Sequence, residues 1–497
     1  MTYTAQAEDL LPGIRVGVVR ATTYGLFGPP EQFMPQAHAL GAGIVRVNIY
    51  WSQVEPEPGV FEWGAVDALL DQLDDGDEAW VTVCASSPWA TRRATRWLPA
   101  SPAVDIDRYH RFVTELVGRR PGSIRFWQSE IEPCLPLFWA GTAEEYLAHL
   151  RVFHAAVKAA DPAALVVLGA AVPGAMLGDG PAGAQTWTSF FGQVLRDGSE
   201  YFDIFDIHPY GDAYQVPALV QTCHAQLAAH GCRQPVVASE HSGPLPTDFP
   251  DNHPYLAEVL AAHQKQFLGE VPMPDTIEDM QASEAPAVIA LYECMDELPP
   301  TLQMFMDGCP TELDNKRHRI ACRDLVVRTV LALSAGVRRN LYYAMGPEWK
   351  LDRVLRIPPI LMFDKLKLMD YSDDTISHRY PAADTFELLT RHLDKVERVD
   401  RITVPNHPDL YLFEIQRTNR TPLLIAWQRH DGADQEDLPS IELTWEWPYP
   451  SAHAVDALCV SVPTETHDGK LRIPVSSTPV FIDTTPAERP AIPPSAR

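Results

Sequence analysis

The stretch from Arg125 to Ile131 is an apolar run, with Phe126, Trp127 and Ile131, that stops at Glu132-Pro133. Proline has no amide to continue a ladder, so a strand ends there. Thr142-Ala-Glu-Glu145 then has the spacing of a capping box, opening an amphipathic helix over Glu144 to Ala160. The same grammar returns at Pro235 to His241, an apolar strand ending in Glu240, 108 positions (240 − 132) further on. A carboxylate at the C-terminal end of a strand that feeds a helix is where a barrel enzyme keeps its chemistry. Two of them, with room for two barrel units between, constrain the fold more than any other feature of the chain.

The remaining segments alternate in the same way and predict an α/β chain, a (β/α)8 TIM barrel. The predicted strands are Ile14 to Val19, Gly43 to Tyr50, Ala79 to Cys84, Arg125 to Ile131, Leu165 to Gly169, Tyr201 to Tyr210, Pro235 to His241 and Arg339 to Ala344. Helices are predicted over Pro29 to Leu40, Val66 to Leu73, Asp107 to Val117, Ile320 to Ser334 and Phe386 to Val396. Arg46 sits in a strand too apolar for an edge, and a buried arginine there needs a carboxylate partner.

Residues 241–319 are irregular, acidic and broken by prolines, far longer than a usual βα loop. Springing from the face that carries Glu240, they are expected to form a helical, lid-like insertion within a barrel domain of residues 1–398. Inert decoration or an oligomer contact is the plainer reading. From about Asp400 the pattern becomes short alternating segments, LYLFEIQR, PLLIAWQ, SIELTWEW, KLRIPV and TPVFID. These read as strands of a second domain, 399–486. Residues 487–497 read as a disordered tail.

A formal charge of −26 argues against nucleic acid and anionic membrane as partners, since both need a basic face. No apolar run approaches the ~20 residues of a membrane span. No secretion signal is visible at the N-terminus, and eight scattered cysteines without metal spacing read as reduced thiols of a cytoplasmic protein. No metal or cofactor is expected, because no nucleotide-binding glycine motif, HExxH or GxSxG is present. A homo-oligomer is left open.

The segment Trp127-Gln-Ser-Glu-Ile-Glu132-Pro133-Cys134, followed by Phe138-Trp139-Ala-Gly141-Thr142, resembles the Trp-x-x-x-Asn-Glu-Pro-Asn motif and Phe-Trp-x-Gly-Thr run of glycoside hydrolase clan A. Trp51 to Trp63 (WSQVEPEPGVFEW), Pro88-Trp89 and the Phe-Asp…Ile-His-Pro-Tyr pattern ending in His208 and Tyr210 are similar to other segments of that clan, family 39 and its bacterial exopolysaccharide-hydrolase relatives above all. The resemblance implies a barrel with a small C-terminal β-sandwich, a carbohydrate or glycoconjugate substrate, Glu132 as general acid and base, and Glu240 as nucleophile of a retaining reaction. It implies that Arg46 supports Glu240. Trp89, Ile131, His208, Tyr210, Tyr342 and Trp349 are the candidate substrate-binding positions. Trp89 has a packed-core reading beside its stacking one. Glu130 is a rival acid, since strand alternation puts it on the same side as Glu132.

One departure matters. The motif's Asn is Ile131, and its second Asn is Cys134. The clan's Asn contacts the sugar 2-hydroxyl, and isoleucine cannot. Either the sugar is unusual at C2, or another residue replaces the contact, or the protein has left hydrolysis and is a silent carbohydrate-binding barrel. Retention of both glutamates favours an enzyme, with a glycosylated small molecule as one substrate class.

Overall fold

The computed structural model describes residues 9–172, 187–268, 273–274, 276–351, 353–372, 375–429 and 439–486; the expected tail, 487–497, lies outside them. Eight strands form the central sheet: β1 (Arg15–Val19), β2 (Ile44–Tyr50), β3 (Glu78–Cys84), β4 (Phe126–Ser129), β5 (Leu165–Leu168), β6 (Phe205–Ile207), β7 (Val236–His241) and β8 (Arg339–Tyr343). They hydrogen-bond in the order β5-β4-β3-β2-β1-β8-β7-β6. Parallel bridges Val167↔Ile204 and Ala171↔Ile207 bring β5 against β6 and close the ring. This is the expected TIM barrel.

Every position of β2 is buried, because a barrel strand faces side chains inside and helices outside. Val45, Val47 and Ile49 pack outward in the main core, while Ile44 points inward with Val19, Trp80, Phe126, Val237 and Leu341. That apolar inner layer stands between two polar ones. At the strand N-termini Arg339 pairs with Glu78 at 2.5 and 2.8 Å; further along lie Arg46, Gln128, Asp206 and Ser239, all fully buried. Gly17 lets β1 and β2 meet, since a Cβ there would lie 1.9 Å from the Ile44 carbonyl oxygen. The capping box forms as predicted: Thr142 Oγ1 accepts from the Glu145 amide at 3.2 Å, and Glu145 Oε2 accepts from the Thr142 amide at 2.8 Å, starting the helix Ala143–Ala160.

Several boundaries differ from expectation. The helix expected at Ile320 spans Thr311–Ser334, because Pro310 before it and Glu312 and Asp314 in its first turn are start signals outside the apolar stretch. The last barrel helix is Pro381–His392 rather than Phe386 to Val396. The expected division at 398/399 falls inside the strand Val396–Ile402, which pairs with Leu410–Arg417.

Between β7 and Thr311 the chain folds into short helices, including His253–Phe267, Ile277–Ala282 and Pro286–Glu293. The first and third share an apolar core of Leu256, Val259, Val288, Leu291, Leu298 and Leu302, while Met280 of the second packs with Leu355, Ile357 and Ile360. A second long excursion, after β8, was not foreseen; it carries the helix Pro358–Phe363 and the hairpin Met369–Ser372/Thr375–Arg379. The two excursions are fastened together. Glu284 accepts from Arg353 Nη1 at 2.6 Å and from the Arg356 amide at 3.0 Å, and the Arg356 guanidinium lies 3.3 Å from the centre of the Tyr292 ring.

The C-terminal strands form a six-stranded and a three-stranded sheet. Leu412, Leu424 and Ile482 of the first meet Leu443, Leu471 and Ile473 of the second in one apolar layer. The opposite face of the larger sheet, with Phe413, Ile425 and Trp427, joins the barrel core, and Trp427 Nε1 donates to Tyr214 Oη at 3.1 Å. Among the described residues no helix is long and apolar enough to cross a membrane.

Candidate active site

Glu240 reaches the barrel interior through an irregularity. Alternation from the inward Val237 and Ser239 would turn residue 240 outward, but the register of β7 against β8 shifts between Ala238 and His241. A bulge of this kind re-aims a side chain. Glu240 thus joins Ser239 inside, while His241 packs edge-on against the outward Tyr342 at 6.0 Å.

Two donors hold the Glu240 carboxylate: Arg46 Nη2 donates to Oε2 at 2.8 Å, and Tyr210 Oη donates to Oε1 at 2.8 Å. Burial, then the neighbouring Glu240, pushes the Tyr210 phenol well above its ordinary range, so it keeps its proton to donate.

Glu132 stands just past the end of β4 and bonds to His208, with Oε1 2.6 Å from Nδ1. Burial raises its carboxyl above the usual value, and Glu240 adds to this against the opposing pull of His208. Burial alone would lower His208, but Glu240, Asp206 and Glu132 together raise it to about 9. The two raised values describe one proton shared along one short bond. Oxygens of Glu132 and Glu240 and a ring nitrogen of His208 all lie within 4.8 Å of one another. Both glutamates are 7% exposed, so they are deep but reachable.

The same trio has the donor chemistry of a divalent-cation site. Arg46 and Tyr210, however, already occupy both Glu240 oxygens, and a cation would meet the guanidinium charge. The other described cluster with such spacing, His38, Asp74 and Asp77, lies at the surface.

Glu130 is separated from the pair. The strand ends at Ser129, and Glu130 takes φ 62°, which breaks the alternation that would have set it beside Glu132. Its Oε1 accepts from the Ala85 amide at 2.9 Å, and burial pushes its carboxyl up to about 8. Ile131 is buried next to Glu132, with its carbonyl accepting from the Ala170 amide at 2.6 Å.

Tyr342 does not face the site. The pleat sends it outward, where Oη donates to the Leu366 carbonyl at 3.0 Å, and sends Tyr343 inward instead. Tyr343 Oη donates to Glu348 at 2.8 Å, and Glu240 is among the charges that raise its phenol after burial. Trp89 lies on the packed-core side of its two readings. Its Nε1 donates to the Glu55 carbonyl at 2.9 Å, it meets Trp51 edge-on at 5.8 Å, and Arg108 covers it.

Trp349 lines a cavity of about 460 Å³ with Tyr343, Glu348, Phe363, Lys367 and Tyr371. The cavity lies to the β8 side of the carboxylates rather than over them. Phe363 joins it to the site by packing edge-on against Tyr210 at 6.4 Å. Above, Met273 of the first excursion packs with Leu26, Trp97 and Trp349, and Trp97 Nε1 donates to the Pro274 carbonyl at 2.8 Å.

Beneath the pair runs a polar ladder that the sequence reading passed over. Gln128 Nε2 donates to Asp206 Oδ2 at 2.7 Å, and Asp206 Oδ1 accepts from the Ser239 amide at 2.9 Å. The available signal was Asp206 two positions before His208, on the same face of an apolar strand.

The fold is that of family 39 glycoside hydrolases and related barrels. A family 39 glycoside hydrolase from the gut symbiont Bacteroides cellulosilyticus WH2 matches with a TM-score of 0.58 at 13% identity, over 96% of this chain and 82% of that one. A glucosidase from Croceicoccus marinus matches at 0.55 and 11%, over 95% and 96%. A family 39 beta-xylosidase from Caulobacter crescentus matches at 0.54 and 13%, over 95% and 97%. Neither a protein-family model nor a curated protein matches the sequence.

Proposed function

We propose that this chain is a retaining glycoside hydrolase, with Glu240 as nucleophile and Glu132 as general acid and then base. The observation that carries this reading is the pair itself: two buried carboxylates, oxygens within 4.8 Å, held in opposite ways. Arg46 and Tyr210 each donate to one Glu240 oxygen and align it, while burial and His208 keep a proton beside Glu132. A raised carboxyl facing one held by a guanidinium and a phenol suits the division into acid and nucleophile. Their closeness suits attack by the carboxylate itself, for which the groups stand ~5–5.5 Å apart, rather than attack by an interposed water, which needs ~6.5–9.5 Å.

In this reading Glu240 attacks the anomeric carbon as Glu132 protonates the departing oxygen. Water, deprotonated by Glu132, then breaks the glycosyl ester. The leaving group departs on the Glu132 side. The barrel is the catalytic domain, and the C-terminal sheets brace it through Trp427 and Phe413. A carbohydrate or glycoconjugate is the partner. The glycosidase names of the structures sharing this fold agree with the reading.

The test is a panel of aryl glycosides, 2-deoxy ones included, with the first-formed anomer followed by NMR. Turnover with retained configuration, abolished in Glu240→Gln, is expected. An inverted anomer ends the retaining mechanism. Tight sugar binding without turnover favours the second reading, a silent carbohydrate-binding barrel, for which Ile131 is the specific support.

A further inference from the structure

We propose that Asp206 is a positioning residue for the acid: through Ser239 it fixes which nitrogen of His208 carries hydrogen, and so keeps one proton on the bond between His208 and Glu132. The inference rests on the glycosidase reading for its consequence, but not for its geometry.

Trp80 Nε1 can only donate, and it donates to Gln128 Oε1 at 3.1 Å, as does Thr82 Oγ1 at 2.7 Å. The Gln128 amide is thereby oriented, and its Nε2 must face Asp206. The Asp206 carboxylate receives that donor, the Ser239 amide and the Ser239 hydroxyl. The single hydroxyl hydrogen of Ser239 is therefore spent on Asp206. What remains on Ser239 Oγ is lone pairs. One accepts from Arg46 Nη1 at 2.7 Å. The other faces His208 Nε2 at 3.2 Å.

Arg46 Nη1 also comes within 3.2 Å of Nε2, but its two hydrogens already serve Ser239 Oγ and the Ser239 carbonyl, the latter at 3.0 Å. Nε2 must then be the donor toward Ser239, and Asp206 Oδ2 lies 3.6 Å from it as a favourable charge. With hydrogen fixed on Nε2, neutral His208 presents a bare Nδ1 to Glu132. The 2.6 Å bond then requires one proton, and only one, between the two groups. The charged or titratable groups facing His208 are Arg46 from β2, Glu132 after β4, Asp206 from β6 and Glu240 from β7. During the reaction the proton leaves Glu132 for the departing oxygen and returns from the attacking water, so the balance closes over one cycle.

In Asp206→Asn the one remaining oxygen serves the Ser239 amide and the new NH2 faces Ser239 Oγ, which frees the Ser239 hydroxyl to donate to Nε2; Ser239→Ala removes the acceptor of Nε2 outright. Either change moves the hydrogen to Nδ1 and leaves Glu132 as a pure acceptor. The effect should depend on how much the leaving group needs a proton. In Asp206→Asn, and separately in Ser239→Ala, the ratio of kcat/KM for an alkyl glycoside to that for the matching 2,4-dinitrophenyl glycoside is expected to fall about tenfold or more, part of the 10²–10⁴-fold that general acid catalysis supplies. An equal fall on both substrates in a variant that melts normally, or no fall, overturns the proposal. Neutron diffraction from deuterium-exchanged wild-type crystals tests it without any substitution. A deuteron on Nε2 aimed at Ser239 Oγ is expected, and a bare Nε2 overturns it. If the wild type turns over neither glycoside, the hydrolase reading fails while the neutron result still decides the tautomer.

Discussion

Arg46 Nη2 lies 2.8 Å from Glu240 Oε2, with the arginine side chain wholly buried and the glutamate nearly so. The two sit 194 positions apart, on β2 and β7, and meet because the β7 bulge turns Glu240 inward. A buried pair is costly to break from one side, since the surviving charge is stranded. Arg46→Met is therefore expected to lower unfolding free energy by roughly 3–5 kcal/mol, read as a drop in denaturant midpoint. The double variant with Glu240→Gln should recover part of that loss. Additive losses would show that charge pairing is not what Arg46 provides.

Much of this arrangement was legible beforehand, for identifiable reasons. Strand ends at Glu132 and Glu240 are marked by a proline and by an abrupt switch from apolar to charged residues. Arg46 is conspicuous in an apolar run, and His208 and Tyr210 follow another. What escaped was geometry finer than alternation. The β7 bulge and the φ of 62° at Glu130 each break the two-residue period, and nothing in composition announces either. Tyr342 and Tyr343 are chemically identical, so one register step decided which faces the site. The excursion after β8, with its cavity, has no strong helix or strand period of its own.

Ile131 is expected to discriminate at C2. An ordinary hexoside would leave its 2-hydroxyl without the amide partner found in the clan motif, at a cost of ~1–3 kcal/mol. That corresponds to roughly ten- to a hundredfold in kcat/KM when the loss falls in the transition state. Ile131→Asn should improve ordinary hexosides relative to 2-deoxy ones. An unchanged preference in a variant of normal melting temperature would show that Ile131 does not read C2.

The shared proton sets a pH limit. His208 is raised to about 9 by Glu240, Asp206 and Glu132, so the Glu132–His208 pair keeps its proton at neutral pH and loses it as pH rises through about 9. A basic limb of kcat/KM is expected there. The same shift stabilises the fold: the contribution is fully present below ~6.5, the unfolded value, and disappears as pH rises through about 9. On dinitrophenyl substrates, residual turnover of Glu132→Gln should lack the limb. A limb of the same position in that variant would assign it to another group.

Glu130 offers a test that is independent of catalysis. Burial pushes its carboxyl up to about 8, and its second oxygen has no hydrogen-bond partner among the described residues. In the unfolded chain it titrates near 4.3. Between those two values the native state binds more protons than the unfolded one, so stability must fall as pH rises through that window. The sign is opposite to that of a salt-bridged carboxylate, whose stabilising effect is lost on acidification. Glutamine has nearly the same shape and never ionises, and its amide keeps an oxygen for the Ala85 donor. Glu130→Gln is therefore expected to flatten the decline in melting temperature between about pH 5 and pH 8. At pH 8 and above it should be the more stable protein, by an amount on the order of a few kcal/mol. Equal pH slopes for the two proteins, followed by thermal melting in buffers of matched ionic strength, would show that Glu130 is not the group whose proton the fold retains.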